Sequence, residues 1–304
     1  MTMRRQTRLG LIGLGEVGNG LARGLRAEGL AHMCAYDPGA MNGPFAELIQ
    51  SNARAAGIDL VPSLAALAAR SDTIISSTPG RQSIPSAEAI APYLNSGHLY
   101  VDLASATPKI KTAALELAAA AGARIADGAI GGSPLIDGHR IEILVCGPDG
   151  EDVRDILVPW GMNITHVGPK LGTASGIKIF RSVIAKGLEA VIVECIMAAE
   201  QHGISEEVLA SYTRFFSRPF GEMAKYMLTT NVIHAQRRAE EAEMSAEALR
   251  DTGIEPIMTE ATVARLQSIA DLGLKTVFAG KPPTSYDAAV AAIVTRLYPD
   301  AAVQ

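Results

Sequence analysis

Leu9-Gly-Leu-Ile-Gly13-Leu14-Gly15-Glu16-Val17-Gly18 is the stretch that decides the fold. A short apolar run leads directly into G-x-G-x-x-G, and Val17–Glu28 after it carries a helical pattern. In such a strand–turn–helix, Gly13 permits the tight turn, Gly15 lets a pyrophosphate approach the backbone, and Gly18 lets the helix pack close to the strand. Leu14, Glu16 and Val17 complete the loop, and the helix N-terminus offers N–H donors and a positive dipole end to phosphate. The next apolar run, His32–Tyr36, ends beside Asp37, 19 residues beyond Gly18. An acidic side chain at about this spacing accepts hydrogen bonds from an adenosine ribose. The plainer alternative is that Asp37-Pro38 is only a turn signal. A carboxylate here repels a 2′-phosphate and no arginine follows closely, so NAD is the expected cofactor. NADP stays open through arginines that the sequence cannot place.

Outward from this motif, strand-like runs at Leu9–Leu14, His32–Tyr36, Asp59–Val61, Thr73–Ser77, Leu99–Asp102 and Arg124–Ala126 alternate with helical patterns. The helical patterns are Val17–Glu28, Phe45–Ala56, Leu64–Ala69, Ser83–Tyr93 and Lys109–Ala121. This alternation predicts an α/β domain with a parallel, doubly wound sheet of the Rossmann type. Glu142–Cys146 and Ile164–Val167, flanking Glu151–Gly161, are expected to finish the sheet. Beyond Gly168-Pro169 the pattern is helical only: Thr173–His202, Glu206–Phe216, Val232–Leu249 and Glu260–Leu272. The expected domains are therefore a dinucleotide-binding domain at 1–168 and an all-helical substrate and dimerisation domain at 169–304.

A net charge of -5 leaves no global basic field for a phosphate backbone, which argues against nucleic acid as a partner. No uninterrupted apolar run reaches the roughly 20 residues a membrane helix needs. The basic start imitates a signal peptide, but Gly13, Gly15, Glu16 and Arg23 cut its apolar region short. Three scattered cysteines, Cys34, Cys146 and Cys195, make neither a disulfide framework nor a metal set, and the histidines show no metal spacing. A reducing cytoplasm and no metal are the expectations. The mean hydropathy of +0.18 is high for a soluble chain, and Val183–Ala199 is apolar nearly all round. Such a helix is expected to pack between the domains and against another subunit, giving a homodimer.

Three further segments, with the opening loop, resemble the β-hydroxyacid dehydrogenase superfamily, which includes the 6-phosphogluconate dehydrogenases. Gly13-Leu-Gly15-Glu-Val17-Gly18 is similar to its Gly-Leu-Gly-x-Met-Gly. Asp102-Leu-Ala-Ser105-Ala-Thr-Pro108 resembles its loop near the nicotinamide, and Asp127-Gly-Ala-Ile-Gly131-Gly132-Ser133-Pro134 its substrate loop. Gly172-Thr-Ala-Ser-Gly176-Ile-Lys178 is similar to the Gly-rich approach to its catalytic helix, which carries a lysine with an asparagine four residues on. Here Ser182 stands in the asparagine's place, Ala104 replaces a serine, and the substrate loop reads Gly-Gly-Ser instead of Ser-Gly-Gly. The segment around His234, Arg237 and Arg238 looks like an uncharacterised branch of the superfamily.

The resemblance implies that Lys178 is the acid/base that handles the proton during hydride transfer at a carbinol carbon. Its apolar neighbours Ile177, Ile179, Phe180 and Val183 predict desolvation, which lowers a lysine pKa. Without the motif it reads as a surface lysine. Ser175, Lys178, Arg181 and Ser182 share one helix face. Ser182 is expected to bond a substrate hydroxyl or orient Lys178, or else to back-bond within its helix. Arg181 fits a carboxylate, or an ion pair with the helical domain. Gly131, Gly132 and Ser133 are expected to form an anion nest for a substrate carboxylate, or else only a tight turn. Thr78, Pro79 and Ser105 follow strand ends and should line the nicotinamide side. His234 and Arg237, on one helix face with Arg238, are candidate contacts to an acidic substrate, or ordinary partners of Glu240 and Glu241.

Together these features predict an NAD(P)-dependent oxidoreductase acting on a small hydroxy acid or sugar acid. Decarboxylation or isomerisation of a β-keto product is possible in the same site. The alternatives are an imine reductase of the same fold, against which Lys178 counts, and a non-catalytic NAD(P) sensor, which would need no Lys178.

Overall fold

A computed structural model describes residues 6–299. The basic start that imitates a signal peptide falls partly at 1–5, outside the described residues. The chain divides into two compact units, Met1–Val183 and Ile184–Gln304.

The first unit runs β1 (Leu9–Ile12), α1 (Glu16–Ala27), β2 (Met33–Tyr36), α2 (Ala46–Ala56), β3 (Asp59–Leu60), α3 (Leu64–Arg70) and β4 (Thr73–Ser76). It continues with α4 (Ser83–Ile90), β5 (Leu99–Asp102), α5 (Pro108–Ala120), β6 (Arg124–Ile130), α6 (Pro134–Asp137), β7 (Glu142–Cys146), α7 (Gly150–Leu157) and β8 (Asn163–His166). The eight strands form one sheet in the order β3-β2-β1-β4-β5-β6-β7-β8. All pairings are parallel except β6 with β7. This is the expected Rossmann-type sheet, and its order reverses between β1 and β4, the crevice where such sheets bind ligands.

Both sheet faces are covered, which is why the strands read as continuous apolar runs. Ile75 and Val101 enter one buried cluster, with Leu21 and Leu25 of α1. Their chain neighbours Ile74 and Tyr100 enter the other, with Leu67, Ile90 and Leu115.

Several boundaries differ from the sequence expectation, three of them in the first unit for a clear local reason. β1 stops at Ile12 because Gly13 turns to φ 92°. β6 runs on through Asp127 to Ile130, since β7 returns antiparallel and pairs Ile130 with Ile143. The link between these strands holds only the short helix at Pro134–Asp137 and a 3-10 turn at Gly138–Arg140, too short for a parallel crossover. The first unit also reaches past the expected end of the domain at 168. The helix α8 (Thr173–Gln201) begins inside it, with Ala174 and Ser175 buried, and the division falls at Val183 within that helix.

The second unit holds the rest of α8 with α9 (Ser205–Phe216), α10 (Phe220–Asp251), α11 (Ile257–Ala270), α12 (Leu274–Val277) and α13 (Tyr286–Leu297). α10 starts at Phe220, after Pro219, well before the Val232 that apolar periodicity suggested. α13 was not apparent in the sequence, although Ser285 caps it by accepting from the Ala288 N–H at 3.2 Å. No helix among the described residues is long and apolar enough to cross a membrane.

A buried carboxylate ties this unit together. Glu194 accepts from Met258 N at 2.8 Å, and from Thr259 N at 2.9 Å and its Oγ1 at 2.6 Å, so it caps α11 from a distant helix. Burial pushes its carboxyl up, but these three donors outweigh burial and leave the pKa below the ordinary 4.5. A depressed carboxyl pKa stabilises the fold above the unfolded value, and the effect is lost as pH falls through the folded value. Glu194→Ala should therefore cost about 1–2 kcal/mol near neutral pH, as loss of a helix cap does. Urea unfolding of the two proteins should show that gap closing in acid. An equal gap at neutral and acid pH would contradict the capping account.

Candidate functional site

The loop after β1 has a different constraint at each glycine. Gly13 takes a left-handed φ of 92°, and its N–H donates to Tyr36 O at 2.9 Å. A Cβ on Gly18 would stand 2.1 Å from the Gly13 carbonyl oxygen, which is backbone and cannot move aside. A Cβ on Gly15 would meet nothing within 4 Å, because Gly15 faces an open cleft of about 820 Å³. Gly15 is also the N-cap of α1 and carries no side-chain cap, so the first N–H groups of that helix stay available to an anion.

Asp37 braces this loop from the end of β2. One carboxylate oxygen accepts from Leu14 N at 2.9 Å and the other from Gly39 N at 2.9 Å. Asn52 of α2, which the sequence did not single out, holds the same turn by donating to Leu14 O at 3.0 Å. Each Asp37 oxygen retains a lone pair for a ligand hydroxyl. Gly13, Leu14, Gly15, Glu16, Val17, Asp37, Thr78, Pro79 and Ser105 all line the cleft, while Gly18 lies behind it. Among the described residues lining it there is no lysine, arginine or histidine, and its ionisable carboxylates are Glu16 and Asp37. Across the cleft, Gly80 packs so closely that an added Cβ would stand 2.0 Å from Ser105 O.

At the cleft edge Lys178 Nζ donates to Ser105 Oγ at 2.7 Å, which brings the expected base beside the expected nicotinamide loop. Burial first, then the positive charges of Lys111 and Arg181, lower the Lys178 pKa below 10.5. The expected desolvation is present, although two of the apolar neighbours in sequence, Phe180 at 68% and Val183 at 67%, are themselves exposed. The amine itself turns to Ser105.

Below this pair lies a charged group that sequence reading missed. Lys111 is fully buried, with Asp102 Oδ2 and Asp127 Oδ1 each 3.3 Å from its Nζ. Its ammonium also donates to the carbonyl oxygens of Asp102 and, at 3.3 Å, Gly128. Asp102 accepts from Ala104 N at 2.8 Å, and Asp127 from Ser175 N at 3.2 Å and Ser175 Oγ at 2.8 Å. Two carboxylates nine residues before and sixteen after one lysine were the available signal, but Lys111 sits in an Ala-rich helix that reads as a solvated face.

The other expected residues are arranged differently. The Gly131 N–H donates to Glu142 O at 2.8 Å as the last rung of β6 with β7, so it is not free for an anion nest. Neither Gly131 nor Gly132 has positive φ, and Asp137 Oδ2 would stand 2.9 Å from a Cβ on Gly132. Ser133 is the N-cap of α6 but does not use its hydroxyl to cap it. Arg181 reaches Gly131 O at 3.4 Å and Glu142 Oε2 at 3.9 Å, so its ion-pair partner belongs to β7 and not to the helical region. Ser182 Oγ donates back to the Lys178 carbonyl at 3.0 Å, not to its amine. His234 and Arg237 lie on α10 in the second unit, where Arg237 pairs with Glu241 at 2.7 Å and Arg238 donates to Thr230 Oγ1 at 2.9 Å.

Comparison with known proteins supports the dinucleotide-binding fold. The NAD binding domain of 6-phosphogluconate dehydrogenase matches residues 8–168, and a domain of unknown function (DUF1932) matches 199–269. A conserved hypothetical protein from Sinorhizobium meliloti 1021 is 27% identical, with 97% of this chain and 98% of that chain covered and a TM-score of 0.63. The conserved protein MTH1747, described as of unknown function with structural similarity to 3-hydroxyacid dehydrogenases, is 28% identical over 87% of this chain and 97% of its own, at a TM-score of 0.60. An imine reductase from Aspergillus terreus in complex with NADPH4 and dibenz[c,e]azepine shares the fold at a TM-score of 0.72, covering 91% of this chain and 96% of that chain, with 19% identity.

The two glycines give separable outcomes. Gly15→Ala should fold with near-normal thermal stability yet lose about tenfold or more in dinucleotide affinity, because its Cβ occupies the ligand's side of the loop. Gly18→Ala should lose both, since its Cβ collides with backbone. Thermal melts with fluorescence titration of NADH check this. Normal NADH binding by Gly15→Ala would remove the loop from the cofactor site.

Proposed function

Because the chain belongs to the family of the NAD-binding domain of 6-phosphogluconate dehydrogenase, we propose that it is an NAD-dependent oxidoreductase acting on the alcohol carbon of a small hydroxy acid or sugar acid. The observation that carries this reading is the Lys178–Ser105 contact of 2.7 Å at the edge of the cleft behind Gly15. When bound there, a nicotinamide dinucleotide supplies a hydride acceptor or donor. Gly15 and the first turn of α1 would hold its pyrophosphate, Asp37 its adenosine ribose, and Thr78, Pro79 and Ser105 its nicotinamide end.

The residues themselves supply the proton chemistry. In the oxidation direction a neutral Lys178 amine takes the proton from the substrate hydroxyl as the carbon becomes a carbonyl. In reduction the ammonium returns it. The lowered pKa favours this, since the neutral amine is reached at lower pH than in an ordinary lysine. Ser105 holds the amine at the cleft edge. Arg181 and the free Ser133 hydroxyl are the groups we assign to the substrate carboxylate, with Arg181 exchanging Glu142 for the ligand. A β-keto product formed there is open to decarboxylation or isomerisation.

The choice of NAD over NADP rests on charge. With Asp37 and Glu16 in the cleft wall and no cation among the described lining residues, a 2′-phosphate meets repulsion and no partner. The likeness to imine reductases is at 19% identity and carries the fold alone. We also propose a homodimer. In the second unit, α8 and α9 border an open apolar groove of about 350 Å³ whose lining residues Leu188, Ile192, Leu209, Tyr212 and Phe216 are all exposed, as is Val193 nearby. Contiguous exposed apolar side chains of this kind are what a partner copy covers.

Two measurements test the reading. Screening hydroxy and sugar acids for NADH formation should find a substrate whose oxidation rises with pH through a midpoint below 10.5. Lys178→Ala should lower that turnover about 100-fold or more and remove the limb, as loss of a general base does. Full turnover in the variant would refute the mechanism, and tight cofactor binding without turnover of any acid would favour the sensor. Separately, the wild type should bind NADH more tightly than NADPH, and Asp37→Ala should narrow that ratio; an unchanged ratio removes Asp37 from the choice.

A further inference from the structure

Lys111 is the only lysine or arginine among the described residues that is buried. Placing an ammonium there is costly unless opposite charge and acceptors surround it. It receives both: two carboxylates at 3.3 Å and two carbonyl oxygens. What those partners do next is informative. Asp102 turns its other oxygen to the Ala104 N–H, the residue before Ser105. Asp127 turns its other oxygen to both donors of Ser175, one helical turn before Lys178. The two arms then meet where Lys178 Nζ donates to Ser105 Oγ at 2.7 Å, closing a ring that starts and ends on Lys111. A salt bridge serving only to hold β5, β6 and α5 together has no need of this closure.

We propose that Lys111 is a positioning residue for the Lys178–Ser105 pair: its clamped ammonium sets the loop that presents Ser105 through Asp102 and the helical turn that presents Lys178 through Asp127. The inference rests on Lys178 being the acid/base of the proposed reaction. The ionisable groups around the ring are Tyr100 and Asp102 on β5, Lys111 on α5, Asp127 on β6, Cys146 on β7 and Arg181 on α8, with Glu142 of β7 beyond Arg181. Burial pushes the Cys146 thiol up to about 11, and burial followed by the Asp102 charge raises the Tyr100 phenol. Lys111 itself repels the Lys178 ammonium, so its charge acts on Lys178 as well as its shape.

Competitive labelling of Lys178 with acetic anhydride, read by mass spectrometry across pH on the full chain, measures the amine without any substrate. NADH binding reports that the cleft is intact. In Lys111→Met the repelling cation is gone and two carboxylates are uncovered. The labelling midpoint of Lys178 should move up, and labelling at a fixed pH below the midpoint should fall about threefold or more. A wild-type midpoint in a Lys111→Met protein that binds NADH normally overturns the proposal. If that variant does not fold, Ser175→Ala decides. It keeps all three charges and removes the shorter of the two Ser175 donors to Asp127, leaving only the backbone N–H at 3.2 Å, so the loosened turn should let the midpoint again move up towards that of a free lysine. An unchanged midpoint there also overturns it. Failure of the acid/base reading is separate: it would appear as full turnover in Lys178→Ala, whatever the labelling shows.

Discussion

A buried ammonium tolerates few geometries, and at Lys111 that intolerance organises the first unit. Removing the ammonium would leave two carboxylates uncompensated in the interior, at a cost of about 3–5 kcal/mol or more. Asp102 ends β5, Asp127 lies in β6, and Lys111 stands in the helix that links them. The ion group therefore fixes the crossover from β5 to β6 at the level where the strands open into the cleft. It also draws the first turn of α8 onto the sheet through Ser175. The unit extends to Val183 and not merely to the last strand because that turn is tied there.

The cleft itself depends on a different kind of constraint. Gly13, Gly15 and Gly18 belong to one motif, yet three separate causes demand glycine. Gly13 needs a positive φ, Gly18 needs a missing Cβ against backbone, and Gly15 needs nothing from the protein. A glycine that the fold does not require, at the mouth of an uncapped helix, is one that a ligand requires. Asp37 has two tasks at once, since the carboxylate that would meet a ribose also holds the turn that would meet the pyrophosphate.

Much of the fold was legible in the sequence because both of its signals are local. Apolar runs alternating with helical patterns announce a covered parallel sheet, and Gly13–Gly18 with Asp37 announce its ligand crevice. What escaped reading depends on non-local pairing. The antiparallel turn of β7 could not be seen in Glu142–Cys146 alone, and it is what commits the Gly131 N–H to Glu142. Ser182 and Arg181 share a helix face with Lys178 as periodicity required, but periodicity does not say that Ser182 bonds backward or that Arg181 finds Glu142. Lys111 was missed because its buried partners lie on two different strands and its own helix is rich in alanine. The early part of α10 escaped for a simpler reason: Phe220, Tyr226 and Met227 are exposed there and follow no single buried stripe.

We propose that the cleft faced by Gly15 delivers a nicotinamide to the Lys178–Ser105 pair. A crystal structure of the protein with NADH bound tests it most directly. The expected result is the pyrophosphate on the first turn of α1, the adenosine ribose on Asp37, and the nicotinamide ring beside Ser105 with the Lys178 amine turned towards it. A dinucleotide bound elsewhere, or one bound in this cleft with its nicotinamide directed away from Lys178, would contradict it.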